Sequence, residues 1–291
     1  MTIEKFYAFA GLEFSVEVSE KDRLYLDDGQ LTPFRVASAT DPHRFRFRRA
    51  KELPAPRGEK AAEHPGIVVF RQGDTAMHYQ GAVSEGWEAA YICSEHEDKD
   101  HRITILADSL PAGIGPKTLL KAIPVEHLIA RNNGFVFHCS CITRNGRAIL
   151  FTAPSEMGKS TQAELWKQFR GADIINGDRA VIRMAEGKLL AEGIPFSGSS
   201  PYCKNTSLPI EAIVYLGKAP ETTIRCLTGL EAFLRIWEGI SANTWDREDM
   251  ELVSRTAQTV AEMVPVLHMC CTPDESAVTA LEQALRKLVI R

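Results

Sequence analysis

Residues 148–161, Ala-Ile-Leu-Phe-Thr-Ala-Pro-Ser-Glu-Met-Gly-Lys-Ser-Thr, constrain this chain more than any other stretch. The apolar run from Ala148 to Phe151 reads as a buried strand. Ala153 to Ser160 then fits a phosphate-binding loop with alanine at its first glycine position, and a helical pattern begins at Ser160. Strand, glycine-bearing loop, Lys-Ser-Thr and helix together supply what a triphosphate needs. Backbone N–H groups converge on phosphate oxygens, and the helix N-terminus adds partial positive charge. On this reading Ala153, Pro154, Ser155, Glu156, Met157, Gly158, Lys159, Ser160 and Thr161 surround a nucleotide's phosphates. Lys159 reaches the β- and γ-phosphates, and the Ser160 hydroxyl ligates Mg²⁺. The alternative is an ordinary strand-turn-helix. Glu156 and Met157 occupy places where small residues are usual, and Glu156 brings negative charge towards the phosphates.

The rest of the chain narrows the function classes. Apolar residues make up 44% of the 291 positions, enough for a real core. A net charge of −4 and a pI near 6.1 give no global electrostatic case for nucleic acid. The N-terminal residues lack the pattern of a signal peptide, and no apolar run reaches membrane-spanning length. The seven cysteines are odd in number, and several lie in apolar runs, as buried reduced thiols do. Cys139-Ser-Cys141 and Cys270-Cys271 lack zinc-knuckle spacing and read as core. These features together predict a cytoplasmic protein without nucleic-acid or membrane partners.

Along the chain the expected class is α+β. Residues 1–112 read as a β-rich domain suited to acceptor or partner recognition. Short strands are expected at Phe6–Phe9, Leu12–Val18, Phe45–Arg48, Ile67–Phe70, Ala76–Tyr79, Trp87–Cys93 and Arg102–Ala107, with 51–65 as a long loop. Arg44, Arg46, Arg48 and Arg49 read as a solvated strand face, or as a patch for an acidic partner. Pro111–Pro116 reads as a hinge. Residues 113–291 read as a second domain, a mixed sheet flanked by helices. Pro124 kinks or restarts a helix over 118–132. A strand over 135–142 carries His138, and Asn145-Gly146 marks a type I′ hairpin returning into the phosphate-loop strand. That hairpin brings His138 near the nucleotide. Capping boxes are read at Thr228–Glu231 and Thr272–Glu275.

Asp178 is the key acid, at the end of the first strand after the loop helix. There a carboxylate can bind Mg²⁺ or receive the proton of an attacking hydroxyl. A solvated Asn-Gly-Asp turn is the alternative. His138 reads as a satisfied strand histidine, or could polarise a phosphate oxygen or pair with Asp178. Arg179, Lys204 and Arg225 each read as surface residues, or as candidates for holding transferred phosphate, and Glu192 is a candidate for a second metal carboxylate.

Phe137-His138-Cys-Ser140, the hairpin, Gly158-Lys-Ser-Thr161, Asn176-Gly-Asp178 and Gly193-x-Pro-Phe-Ser-Gly198 occur in an order that resembles the C-terminal fold of the HPr serine kinase/phosphorylase family. The resemblance is nearest to HPr-kinase-like proteins found near peptide-modification genes, and covers about residues 118–291. It implies a P-loop domain similar to the nucleotide-binding core of phosphoenolpyruvate carboxykinases. By resemblance, Lys159 and Ser160 take the loop roles, Asp178 is the base, and His138 matches the family's strand histidine. Gly177 departs from the pattern by replacing the first acid of a pair, which leaves metal binding one carboxylate short. Residues 1–110 do not match the true HPr enzyme's regulatory domain.

The expectation is an ATP- and Mg²⁺-dependent kinase acting on a hydroxyl, such as Ser/Thr of a small protein or peptide. A nucleotide-binding accessory protein without phosphotransfer and a small-molecule kinase are the alternatives. A homo-oligomer is compatible with the sequence.

Overall fold

A computed structural model of the chain describes residues 1–25, 29–81, 90–109 and 114–289. The protein is mixed α/β, with two large mixed sheets flanked by helices. It divides into two compact units, Met1–Pro124 and Val125–Arg291. The helix at 116–122 therefore belongs with the first unit, whereas the sequence reading drew its boundary at 112/113. No helix among the described residues is long and apolar enough to cross a membrane.

The first unit is a sheet of nine strands among the described residues: β1 Thr2–Phe9, β2 Leu12–Ser19, β3 Arg35–Val36, β4 His43–Ala50, β5 Glu59–His64, β6 Ile67–Gln72, β7 Thr75–Gly81, β8 Ala90–Glu97 and β9 Asp100–Leu106. Its order is β3-β1-β2-β4-β9-β8-β7-β6-β5, antiparallel except for the β2–β4 and β4–β9 pairs. Alternation along β1, β2 and β4 buries Tyr7, Phe9, Phe14, Val16, Phe45 and Phe47. The Phe9 and Phe14 rings stack with centroids 4.4 Å apart. The expected loop over 51–65 contains β5, which pairs with β6 at the sheet edge. Its side chains are mostly exposed, so main-chain bonds hold it and no apolar alternation announces it. Three of the four arginines of β4 meet partners from the same unit. Arg46 pairs with Asp100 at 2.8 Å, Arg49 with Asp22 at 2.9 Å, and Arg48 donates to Thr104 at 3.1 Å. Residues 87–89 of the expected 87–93 strand, and residues 111–113 of the expected hinge, lie outside the described residues. The 118–132 helix is two helices, α1 Pro116–Ala122 and α2 Val125–Arg131, separated at Pro124.

The second unit contains α2 and a ten-stranded sheet among the described residues. Its strands are β10 Gly134–His138, β11 Ser140–Arg144, β12 Arg147–Thr152, β13 Asp173–Asn176, β14 Arg179–Ala185, β15 Lys188–Glu192, β16 Ser207–Lys218, β17 Thr223–Leu227, β18 Ile240–Ser241 and β19 Val266–Cys271. β16 runs parallel to both β12 and β19. Alternation along β12 divides the core. Ile149 and Phe151 face α3 (Lys159–Arg170) and α6 (Glu275–Val289), packing with Ala163, Trp166, Val278 and Leu281. Ala148 and Leu150 face the cluster built by α4 (Gly229–Trp237) and α5 (Arg247–Met263), with Ile236, Val253 and Val260. Burying such a side chain stabilises the fold by roughly 1.5–3 kcal/mol.

Three local expectations change. The strand over 135–142 breaks at Cys139, whose N–H donates to Asp178 O at 3.1 Å. Before the break β10 pairs with β14; after it β11 pairs with β12 and β13. Thr228 makes no side-chain cap bond, and Glu231 is held by Arg225 instead. The last helix starts at Glu275, beside Asp274, whose Oδ1 accepts from Ser276 N at 2.8 Å. The Asn145-Gly146 hairpin forms as expected, both residues at positive φ (50° and 73°).

Candidate functional site

β12 ends at Thr152 and the chain turns through 153–158 into α3. Gly158 is the N-cap, with φ 101°, a conformation that favours glycine. No side chain caps the helix, so its first N–H groups are left to face an anion. Glu156 also has positive φ, 63°, and is exposed. Lys159 is buried, its Nζ folded back onto Ala153 O at 3.0 Å and Pro154 O at 3.3 Å. Burial pushes its pKa down, while Cys139 and Asp178 push it up.

Asp178 follows β13 in a turn tied to the β10–β11 junction, where Ser140 Oγ donates to Gly177 O at 3.0 Å. Its Oδ2 accepts from Arg179 Nε at 2.7 Å, and His138 Nε2 lies 3.6 Å from Oδ1. His138 first, then Arg179, hold the Asp178 pKa down to about 2, against the opposing effect of burial. At 3.6 Å the contact is too long for a well-formed hydrogen bond. His138 and Asp178 thus approach one another, but not through the Asn145-Gly146 hairpin: that hairpin joins β11 to β12, while His138 ends β10, which pairs with β14. His138 is itself set by backbone bonds: its N–H donates to Gly239 O at 2.7 Å, and its carbonyl accepts from Thr152 Oγ1 at 3.0 Å.

Two cavities flank the first turn of α3. One, of about 480 Å³, is lined by Glu156, Met157, Gly158, Thr161 and Gln162, with 216–219 and 271–273. That size suits a small ligand. The other, of about 180 Å³, is lined by Ser160, Ala163, Glu164, Gly177, Asp178 and Ser199–Tyr202. Ser160 and Asp178 thus border one space. A hydroxyl and an ionised carboxylate are hard oxygen donors, a set that suits Mg²⁺ completed by phosphate oxygens and water.

The other candidates lie elsewhere. Glu192 is buried with its carboxylate forked onto Arg183 at 2.7 and 3.0 Å, and Ser207 Oγ donates to it at 3.1 Å. Lys204 pairs with Asp173, and Arg225 with Glu231. Each of these charges is matched by a neighbour in sequence or across a strand. Sequence reasoning missed the walls at 216–219 and 271–273, and the amide of Asn176 beneath the acid turn. It also missed His127, Asp246 and Asp249, whose ligand atoms lie within 4.8 Å of one another. There His127 Nδ1 meets Asp249 at 2.8 Å and Arg131 Nε approaches the same carboxylate at 3.6 Å, tying α2 to the start of α5. The Arg131 cation already balances that charge.

No family model matches the chain, and no curated protein matches it. Among solved structures, the Hpr(Ser) kinase/phosphatase from Coxiella burnetii is similar over 53% of this chain and 90% of that one, with a TM-score of 0.32 and 13% identity. A likeness that weak carries no weight for function, which rests on the residues themselves.

Proposed function

We propose that the chain is an ATP- and Mg²⁺-dependent phosphotransferase that moves a γ-phosphoryl group to a hydroxyl, with Ser/Thr of a small protein or peptide as the acceptor. One observation carries the reading: the uncapped N-terminus of α3, with buried Lys159, lies between a ligand-sized cavity and a smaller one bordered by Ser160 and ionised Asp178.

The larger cavity takes the nucleoside, and the α3 amides with Lys159 take the phosphates. Lys159 exchanges its loop carbonyls for phosphate oxygens and offsets the charge on the transferred group. Ser160 and Asp178 would hold Mg²⁺, which would neutralise phosphate charge. A carboxylate with a pKa of about 2 is a weak base. Asp178 therefore orients the acceptor hydroxyl and receives its proton late, after the P–O bond to the leaving group has loosened. The hydroxyl enters through the smaller cavity, which admits a side-chain-sized group.

A second reading, a nucleotide-binding accessory protein without transfer, is favoured by one feature. Asp178 is already engaged by Arg179, and Gly177 offers no second acid. Radiolabelled ATP with candidate peptides and with hydroxylated metabolites separates these readings. Label on a peptide supports the proposal, and label on a metabolite moves the acceptor to small molecules. Tight binding without transfer to either overturns it in favour of the accessory role.

A further inference from the structure

Asn176 ends β13 and is completely buried. Its side-chain amide is saturated. Oδ1 accepts from the backbone N–H groups of Asp178 at 2.9 Å and Arg179 at 3.1 Å. Nδ2 donates to the carbonyls of Ile194 and Phe196, both at 3.1 Å. Two N–H groups on one side and two carbonyls on the other fix which end is oxygen. Aspartate has no N–H to offer the carbonyls, and glutamine sets its amide one methylene too far out.

The two segments joined by this amide also meet directly. A Cβ on Gly198 would lie 2.9 Å from Asp178 Cγ and 3.1 Å from both carboxylate oxygens. A Cβ on Gly177 would lie 2.1 Å from Ser200 Oγ. Segment 193–200 is thus seated on the acid turn at two glycines, and closes on itself where Ser197 Oγ donates to Ser200 O at 2.8 Å.

We propose that Asn176 is the positioning residue of this site. It fixes the turn that aims the Asp178 carboxylate and holds segment 193–200 against it, so that the acid and one wall of the smaller cavity move as a single body. The consequence for turnover rests on the phosphotransferase reading; the mechanical coupling does not.

Hydrogen–deuterium exchange of the full chain, read at 176–179 and 193–200 with β12 as the folding control, tests the coupling in Asn176→Ala and Asn176→Gln. Both segments should exchange about ten-fold faster in each variant, while β12 stays protected. Ser197→Ala should loosen 193–200 alone. Turnover should fall about 100-fold, the scale of a small misplacement, with nucleotide affinity within about three-fold of wild type. Faster exchange in one segment only, in both Asn176 variants, overturns the proposal, as does wild-type turnover in either. If Asn176→Ala does not fold, Asn176→Gln decides. If the wild-type chain transfers no phosphoryl group, the phosphotransferase reading falls and exchange alone decides for or against Asn176.

Discussion

Arg179 Nε lies 2.7 Å from Oδ2 of the residue before it, Asp178, while His138 approaches the other oxygen at 3.6 Å. The His138 ring beside one oxygen and the Arg179 guanidinium on the other keep this partly buried carboxylate ionised, and that single fact shapes what the acid can do.

Asp178→Asn should abolish transfer and leave nucleotide affinity near wild type, because the α3 amides and Lys159 are untouched. Its stability should depend on pH with a definite sign. The folded pKa is depressed, so ionised Asp178 contributes stability fully above its ordinary value of 3.8, and loses it as pH falls towards about 2. The contribution is about 1–2 kcal/mol after allowance for solvent screening. Urea denaturation of both proteins should therefore show a gap near neutral pH that closes in strong acid. A gap independent of pH would place the effect in packing rather than charge.

Glu156 combines a left-handed backbone with a charge of the wrong sign for phosphate. A non-glycine residue at positive φ costs roughly 1–2 kcal/mol, partly offset by the unfolded-state freedom of glycine. Glu156→Gly should raise the denaturation midpoint slightly and tighten nucleotide binding, with the gain shrinking in high salt. Glu156→Gln should tighten binding without the stability gain. Isothermal titration at two salt concentrations, with thermal melts, separates the two effects. Weaker binding in Glu156→Gln would assign the carboxylate a contact with the ligand.

How much of this was legible in the sequence follows from the range of the interactions. Asn145-Gly146, the alternation of β12 and the helical stripe of α3 are local signals, and the hairpin and the strand-turn-helix lie where they were read. β5 was invisible because an exposed edge strand held by main-chain bonds needs no apolar pattern. The break at Cys139 was invisible because its partner, the Asp178 carbonyl, is 39 residues away in the sequence. Asn176 reaches carbonyls 18 and 20 residues on, so its part in the site appears only once the chain has folded. Glu192 looked available beside Gly193, yet the partner that occupies it, Arg183, lies across the β14–β15 hairpin.

Trp166 carries α3 against the sheet at 1% exposure, and its Nε1 has no hydrogen-bond partner among the described residues. Trp166→Ala removes the largest side chain of that face and should cost about 3–5 kcal/mol. Trp166→Phe also leaves a void but deletes an unsatisfied donor, whose burial costs about 1–3 kcal/mol. It should therefore be much milder than Trp166→Ala. Denaturant midpoints at constant slope check this. Equal losses in the two variants would mean that the indole N–H is satisfied in solution.

Position 177 has no room for a side chain while Ser200 stays in place. A side chain there and Ser200 compete for one place, since a Cβ on Gly177 would be 2.1 Å from Ser200 Oγ and 2.7 Å from Ser200 Cβ. Gly177→Asp alone should destabilise the chain by about 1–3 kcal/mol, the usual scale of overpacking. Adding Ser200→Gly removes both clashing atoms, and the double variant should recover most of that loss, a coupling of the size expected for residues in contact. It should also bind Mn²⁺, an Mg²⁺ surrogate visible by electron paramagnetic resonance, more tightly than wild type, because two adjacent carboxylates then face the cavity bordered by Ser160. Additive stability losses would show that Ser200 is not what excludes an acid from position 177. Unchanged Mn²⁺ affinity in a stably folded double variant would remove the cation from the space between Ser160 and Asp178.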